Sequence, residues 1–150
     1  SHGLRHVSAV YDHSIKAILH HHPPLGAADS MKIKIATLLH DVDDRKYFPR
    51  HGNYENARQI MEEGHVPKDC REEILYTIGL VSCSANGNHV PRHVIDDDKY
   101  HILIPRWADR LEAVGAVGVV RCYQYNREHA HPLCSESSPR AMTPDEIWDY

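Results

Sequence analysis

A histidine followed by an aspartate, His40-Asp41, closes the apolar run Ile33-Lys34-Ile35-Ala36-Thr37-Leu38-Leu39. The run reads as a buried helix, so the pair sits where a carboxylate is costly unless something pairs with it. A divalent cation is one such partner, because imidazole nitrogen and carboxylate oxygen together suit Zn, Mn, Fe or Mg. Further ligands must then come from other helices. The sequence offers His6 upstream and Asp109 downstream, each inside a helical pattern of its own. Taken alone, each has a plainer reading. A histidine at a helix start is usually just polar, and an aspartate on a helix is usually solvated.

Bringing such residues together requires helices. Leu4, Val7, Val10, Tyr11, Ser14, Ile15, Ala17 and Ile18 recur near i, i+3, i+4 and i+7, which predicts a first helix over 3–20. Pro23-Pro24 stops it. His2 and His6 lie one turn apart on one face. His20-His21-His22 reads as a helix end rather than a chelating patch, because adjacent helical residues point in different directions. A second helix over 30–42, capped by Asp29 or Ser30, delivers His40 and Asp41 at its C-terminal end. A polar loop follows, and Asn53 caps a third helix that ends at Gly64. A fourth helix over 68–84 carries Ile74, Leu75, Ile78, Leu80 and Val81 on its apolar side, and 86–99 reads as an exposed loop.

A long fifth helix over 100–124 runs through Ile102, Ile104, Trp107, Leu111, Val114, Val117 and Val120, with Asp109 interrupting the apolar face. Gly115 and Gly118 within it permit close helix contact. The remainder, 125–150, reads as an irregular tail, with Thr143-Pro144-Asp145-Glu146 as the start of a terminal helix. No segment alternates with a two-residue period. The expected fold class is therefore all-α, a single helical bundle of about five to six helices.

A chain of 150 residues fits one domain with one core. No apolar run approaches the ~18–20 residues of a membrane span, and no leader peptide is apparent. The net charge of -4 and the scattered basic residues argue against an extended nucleic-acid partner. Cys70, Cys83, Cys122 and Cys134 form no CxxC pair, which argues against a zinc knuckle. They read as buried free thiols in a reducing, cytoplasmic compartment. The sequence does not set an oligomeric state.

Three ordered stretches, with their flanks, carry a resemblance: His2-Gly3-Leu4-Arg5-His6-Val7, Thr37-Leu38-Leu39-His40-Asp41-Val42-Asp43-Asp44, and Trp107-Ala108-Asp109-Arg110-Leu111-Glu112-Ala113-Val114-Gly115. Together they make the pattern H…HD…D, and the sequence resembles the HD-domain superfamily of metal-dependent phosphohydrolases. It looks closest to the small members that hydrolyse nucleotides. The resemblance covers 2–124 of an HD domain spanning 1–150. Two positions depart from the family's opening: Ala9 stands where it has arginine, and Gly3 where it has aspartate.

The resemblance implies that His6, His40, Asp41 and Asp109 hold one divalent metal ion, with Mn, Mg, Co, Fe and Zn all compatible with mixed N/O ligation. It implies hydrolysis of a phosphate ester or anhydride of a small metabolite, most plainly a nucleotide. Asp44 matches the acid that orients or deprotonates the water, and Lys46 matches a lysine that neutralises phosphate. His2 is a candidate base or proton donor. Arg110 is a candidate phosphate clamp, with Arg106 and Arg121 weaker ones. Ser82, Ser84 and Asn86 resemble a polar cluster near the substrate, or else form a helix cap and turn. Two rivals stand beside this hydrolase: a non-catalytic nucleotide sensor, and a dinuclear-iron oxygenase of the same fold. The second would need extra histidines from among His51, His65, His89 and His93, which read as loop or helix-end residues.

Overall fold

The computed structural model describes residues 3–133, 142 and 143, the side chain of Ser84 apart. Every regular element among them is helical: α1 (Leu4–Leu19), α2 (Ala27–Leu39), α3 (Glu55–Glu63), α4 (Lys68–Gly79), α5 (Cys83–Asn86), α6 (Arg92–Asp96), a 3-10 turn (Tyr100–Leu103), α7 (Ile104–Leu111) and α8 (Gly115–Glu128). The expected all-α class holds. The chain divides into two compact units, Ser1–Ala113 and Val114–Tyr150. The proposed start of a terminal helix after Thr143, and Cys134, lie outside the described residues.

In the first unit α2 is the central helix and packs against α1, α4 and α7. Its buried residues Ala36 and Leu39 join Ala57 and Met61 of α3 and Ile74, Leu75 and Ile78 of α4 in the main core. Removing such side chains from water is the chief stabilising term of a bundle this size. On its other side α2 meets α1 through Ser14 and Thr37, both fully buried, which hydrogen-bond at 3.0 Å. Thr37 Oγ1 also lies 2.8 Å from the Ile33 carbonyl, so the buried hydroxyls are satisfied both within α2 and between the helices. The buried stripe of α1 is His6, Val10 and Ser14. That spacing puts His6 where an apolar residue would otherwise sit.

Several boundaries differ from the sequence expectation, each for a local reason. The second helix starts at Ala27 behind Gly26, and Asp29 lies in its first turn, paired with Lys32 at 2.7 Å. The third helix is not capped by Asn53. Tyr54, in the left-handed region at φ 56°, precedes it. Its first amides are satisfied from across the chain by Asp43, whose Oδ1 accepts the Asn56 N–H at 3.0 Å and Oδ2 the Ala57 N–H at 2.9 Å. The fourth helix stops at Gly79, because Ser82 and Asn86 draw the backbone into a new turn. Asn86 Nδ2 donates to the Gly79 and Ser82 carbonyls. Within 86–99, α6 forms behind Pro91 and buries Val94.

The long fifth helix is broken. The chain leaves α7 after Leu111 and re-enters a helix at Gly115, whose φ of +65° strongly favours glycine. A Cβ on Gly115 would meet nothing within 4 Å, so the residue serves the turn and not a helix contact. Trp107 and Leu111 are not core residues, at 44% and 52% exposed. The buried side of α7 is Ile104, Pro105, Arg106 and Ala108. Cys70 is half-buried, whereas Cys83 and Cys122 are exposed rather than buried.

Arg106 is the largest fully buried side chain. Its Nε–H donates to the Leu80 carbonyl at 2.6 Å and its Nη1 to the His89 carbonyl at 2.9 Å, tying α7 to the chain after α4 and to the turn before α6. Burial, then the neighbouring Arg110, pulls its pKa below the usual arginine range. Arg106→Ala should cost about 3 kcal/mol in urea unfolding, since it leaves a cavity and two carbonyls without donors. A loss below about 1 kcal/mol, the range of surface substitutions, would contradict that role.

Candidate metal centre

The last carbonyls of a helix have no intrahelical amide to pair with. At the end of α2 one of them is satisfied by the residue that ends the helix: His40 Nδ1–H donates to the Thr37 carbonyl at 2.7 Å. That bond fixes the proton on Nδ1 and leaves the Nε2 lone pair for something else. Nε2 is buried, and no hydrogen bond satisfies it among the described residues. It lies 3.3 Å from Asp41 Oδ2 and 3.8 Å from Asp109 Oδ1. From α1, His6 Nε2 reaches the same oxygens, at 3.6 Å and 3.2 Å. The two imidazole rings meet edge to face, 5.4 Å between centroids.

His6 of α1 and His40 and Asp41 at the end of α2 thus gather their donor atoms, and Asp109 of α7 approaches both imidazoles. His6, His40 and Asp41 offer ligand atoms all within 4.8 Å of one another, an arrangement that can hold a metal ion. Atoms about 2.1 Å from one cation lie roughly 3.0–3.4 Å apart between the octahedral and tetrahedral limits. The four separations of 3.2, 3.3, 3.6 and 3.8 Å are close to that. The imidazoles are nearly enclosed, while Asp41 and Asp109 keep side-chain exposures of 19% and 31%. That leaves one side open to a ligand. The C-terminal end of α2 also carries partial negative charge, which favours a cation there.

A cavity of about 660 Å³ opens on this side, and its lining includes His40, Asp41 and Asp109 together with Asp43, Asp44, Arg45, Lys46 and His51. Tyr54, Ile78, Gly79 and Val81 supply an apolar wall. A Cβ at position 79 would lie 2.9 Å from the Tyr54 hydroxyl, so glycine there lets Tyr54 stand against α4. Successive turns shape the rim after α2: the Asp44 amide donates to the Asp41 carbonyl at 3.1 Å, and Asp44 Oδ1 accepts the Lys46 amide at 2.9 Å.

Ser82 lines the cavity and caps α5, accepting the Ala85 amide at 3.4 Å. Asn86 is engaged with backbone carbonyls and does not line the cavity. Arg110 is not part of the lining either. It donates to Asn88 Oδ1 at 2.7 Å and to the Gly87 carbonyl, and its guanidinium lies 5.1 Å from the Trp107 ring. His2 and the Ser84 side chain fall outside the described residues. Sequence reasoning set His51 aside as a loop residue, yet it lines the cavity. Its partner Asp43 is eight positions away, and no local pattern signals that pairing. Asp43, His51 and Glu55 form a second group able to approach a metal. Both Asp43 oxygens, however, already accept α3 amides.

No family model matches the chain. It is 35% identical, over an alignment of 163 positions, to "Uncharacterized protein L803" of Acanthamoeba polyphaga mimivirus. The alignment takes in 99% of this chain and spans 63% of the viral protein's length. In three dimensions the chain is similar to the crystal structure of the Lin1889 protein from Listeria innocua, with a TM-score of 0.59 and 22% identity, covering 99% of this chain and 68% of that one. That likeness shows the fold alone.

His40→Ala or Asp109→Ala should abolish tight Mn or Zn binding measured by calorimetry and elemental analysis, while His21→Ala leaves it intact. Retention of one equivalent of metal by both ligand variants would refute a shared centre. Acid should also release the metal. Burial disfavours the His40 imidazolium, but Asp41, the Thr37 carbonyl and Asp109 outweigh it and hold the pKa above the usual imidazole value. A cation needs the neutral ring, so affinity should fall as pH drops through that raised value. Binding that stays flat from pH 8 to below the ordinary histidine range of about 6.5 would count against His40 as a ligand.

Proposed function

We propose that this chain is a metal-dependent phosphohydrolase of the HD type that cleaves a phosphate ester or anhydride of a small metabolite, a nucleotide by preference. One observation carries the reading: His6, His40 and Asp41 gather their donor atoms with Asp109 beside both imidazoles, and His40, Asp41 and Asp109 line a substrate-sized cavity. Pockets of roughly 300–1,000 Å³ suit small ligands, and about 660 Å³ falls among them. Arg45 and Lys46 in the same lining give an anionic ligand a place to bind. The ordered pattern H…HD…D in the sequence supports the assignment independently.

His6, His40, Asp41 and Asp109 would hold one divalent cation, with Mn a candidate beside Mg, Co, Fe and Zn. When bound, it supplies Lewis acidity toward water and the phosphoryl group. Asp44, on the rim beside the ligands, takes the proton from the attacking water. Lys46 balances phosphate charge, and Ser82 offers a hydroxyl from the cavity lining. No described helix is long and apolar enough to cross a membrane. Cys70, Cys83 and Cys122 are free thiols, which supports a reducing cytoplasmic setting.

Purified protein supplied with Mn and screened against nucleoside mono-, di- and triphosphates should release phosphate or pyrophosphate from at least one. Asp44→Asn should lower kcat about 100-fold with metal content unchanged. Tight nucleotide binding without turnover at any metal would turn the assignment toward a sensor.

A further inference from the structure

The cavity wall holds a histidine that this mechanism leaves idle. His51 Nδ1–H donates to Asp43 Oδ1 at 2.7 Å. The Asp43 side chain is only 5% exposed and is itself held by the Asn56 and Ala57 amides at the start of α3. The His51 ring stacks on Phe48, 4.9 Å between centroids and 23° from parallel. These contacts fix both the ring plane and the tautomer. Nε2 makes no hydrogen bond among the described residues, and the residue lines the same cavity as His40, Asp41 and Asp109. A buried carboxylate behind an imidazole, with the other nitrogen left available, is an arrangement suited to moving a proton at that nitrogen. The charged groups around it are Asp44, Arg45 and Lys46 of the cavity lining and Glu55 of α3.

We propose that His51 is the general acid of the hydrolysis, with Asp43 its positioning residue. Protonated on both nitrogens, His51 gives its Nε2 proton to the leaving oxygen as the bond from phosphorus to that oxygen breaks. The electron pair of the broken bond stays on that oxygen and takes up the proton, giving a free alcohol. The new bond to phosphorus forms from the water oxygen, whose proton goes to Asp44, giving inorganic phosphate. Solvent then returns the proton from Asp44 and reprotonates His51. The proposal rests on the hydrolase reading and narrows it. An acid here matters for an alcohol, which departs poorly as alkoxide, and little for an acidic leaving group. The substrate class it names is the phosphate monoester.

The test uses the Mn-loaded protein, adenosine 5′-monophosphate and 4-nitrophenyl phosphate. In the wild type, the rate on the nucleotide should fall at alkaline pH as the acid deprotonates, and the rate on the nitrophenyl ester should not. His51→Gln should lower kcat on the nucleotide about 100-fold and abolish the alkaline fall, yet stay within about threefold of wild type on the nitrophenyl ester. Manganese content and circular dichroism should be unchanged. Asp43→Asn should act in the same direction with a smaller loss. Equal losses on both esters, or an alkaline fall that persists in His51→Gln, would overturn the proposal. So would two Mn per wild-type chain dropping to one in His51→Gln, which makes His51 a ligand. Failure of the wild type on both esters overturns it as well. Cleavage of adenosine triphosphate would in that case leave the hydrolase reading standing, and no cleavage of any of the three would bring both down.

Discussion

One hydrogen bond at the end of α2 decides what the site can be. The Thr37 carbonyl belongs to the last turn of the helix and has no amide above it. His40 fills that vacancy with Nδ1–H. A requirement of helix termination thereby becomes a chemical specification: one tautomer, one ring orientation, and Nε2 turned toward Asp41 and Asp109. Without that bond, the ring would be free to offer either nitrogen. Because α2 also packs on α1 and α7, the rigidity of the core passes directly to His6 and Asp109. Precision of this kind is what metal ligation demands.

The electrostatic arrangement follows from the same packing. Among the described residues the ion-pair partners of Asp109 are the imidazoles of His6 and His40, not a lysine or arginine. Two carboxylates facing two nearly enclosed imidazoles need net positive charge in their midst, supplied by protons or by a cation. Arg106 and Arg110, the two nearest arginines along α7, are both committed elsewhere: one to the Leu80 and His89 carbonyls, the other to the 87–88 turn. Their absence from the centre keeps the site anionic and suited to a divalent ion.

What the sequence disclosed was local and periodic. His40-Asp41 stands out because an apolar run should not end in a charged pair; α1 follows from spacing, and α2 from its apolar run, three residues out of register at each end. Trp107 and Leu111 misled for the same reason. Their period matches a core stripe, but both side chains are exposed and α7 buries Ile104, Pro105, Arg106 and Ala108 instead. Periodicity also ran on through Val114, Val117 and Val120 with no sign of the break. That break depends on one backbone angle at Gly115. Arg106 reads as surface in any composition-based argument, because its burial depends on carbonyls from residues 80 and 89. His51 was illegible for a similar reason. Its meaning comes from Asp43, and Asp43 from α3.

That last chain of dependence shows how the loop after α2 is organised. Three acids in four residues have three different tasks. Asp41 faces the imidazoles, Asp44 folds the rim back on itself, and Asp43 satisfies the amides of α3 while also lining the cavity. A loop is usually the least constrained part of a domain, yet here it is fastened at both ends, by the α2 terminus and by the α3 amides. Asp43 therefore couples the start of α3 to the shape of the cavity. The carboxylate that allows α3 to begin is the same one that holds His51 against the cavity, so whatever loosens the start of α3 also loosens that wall.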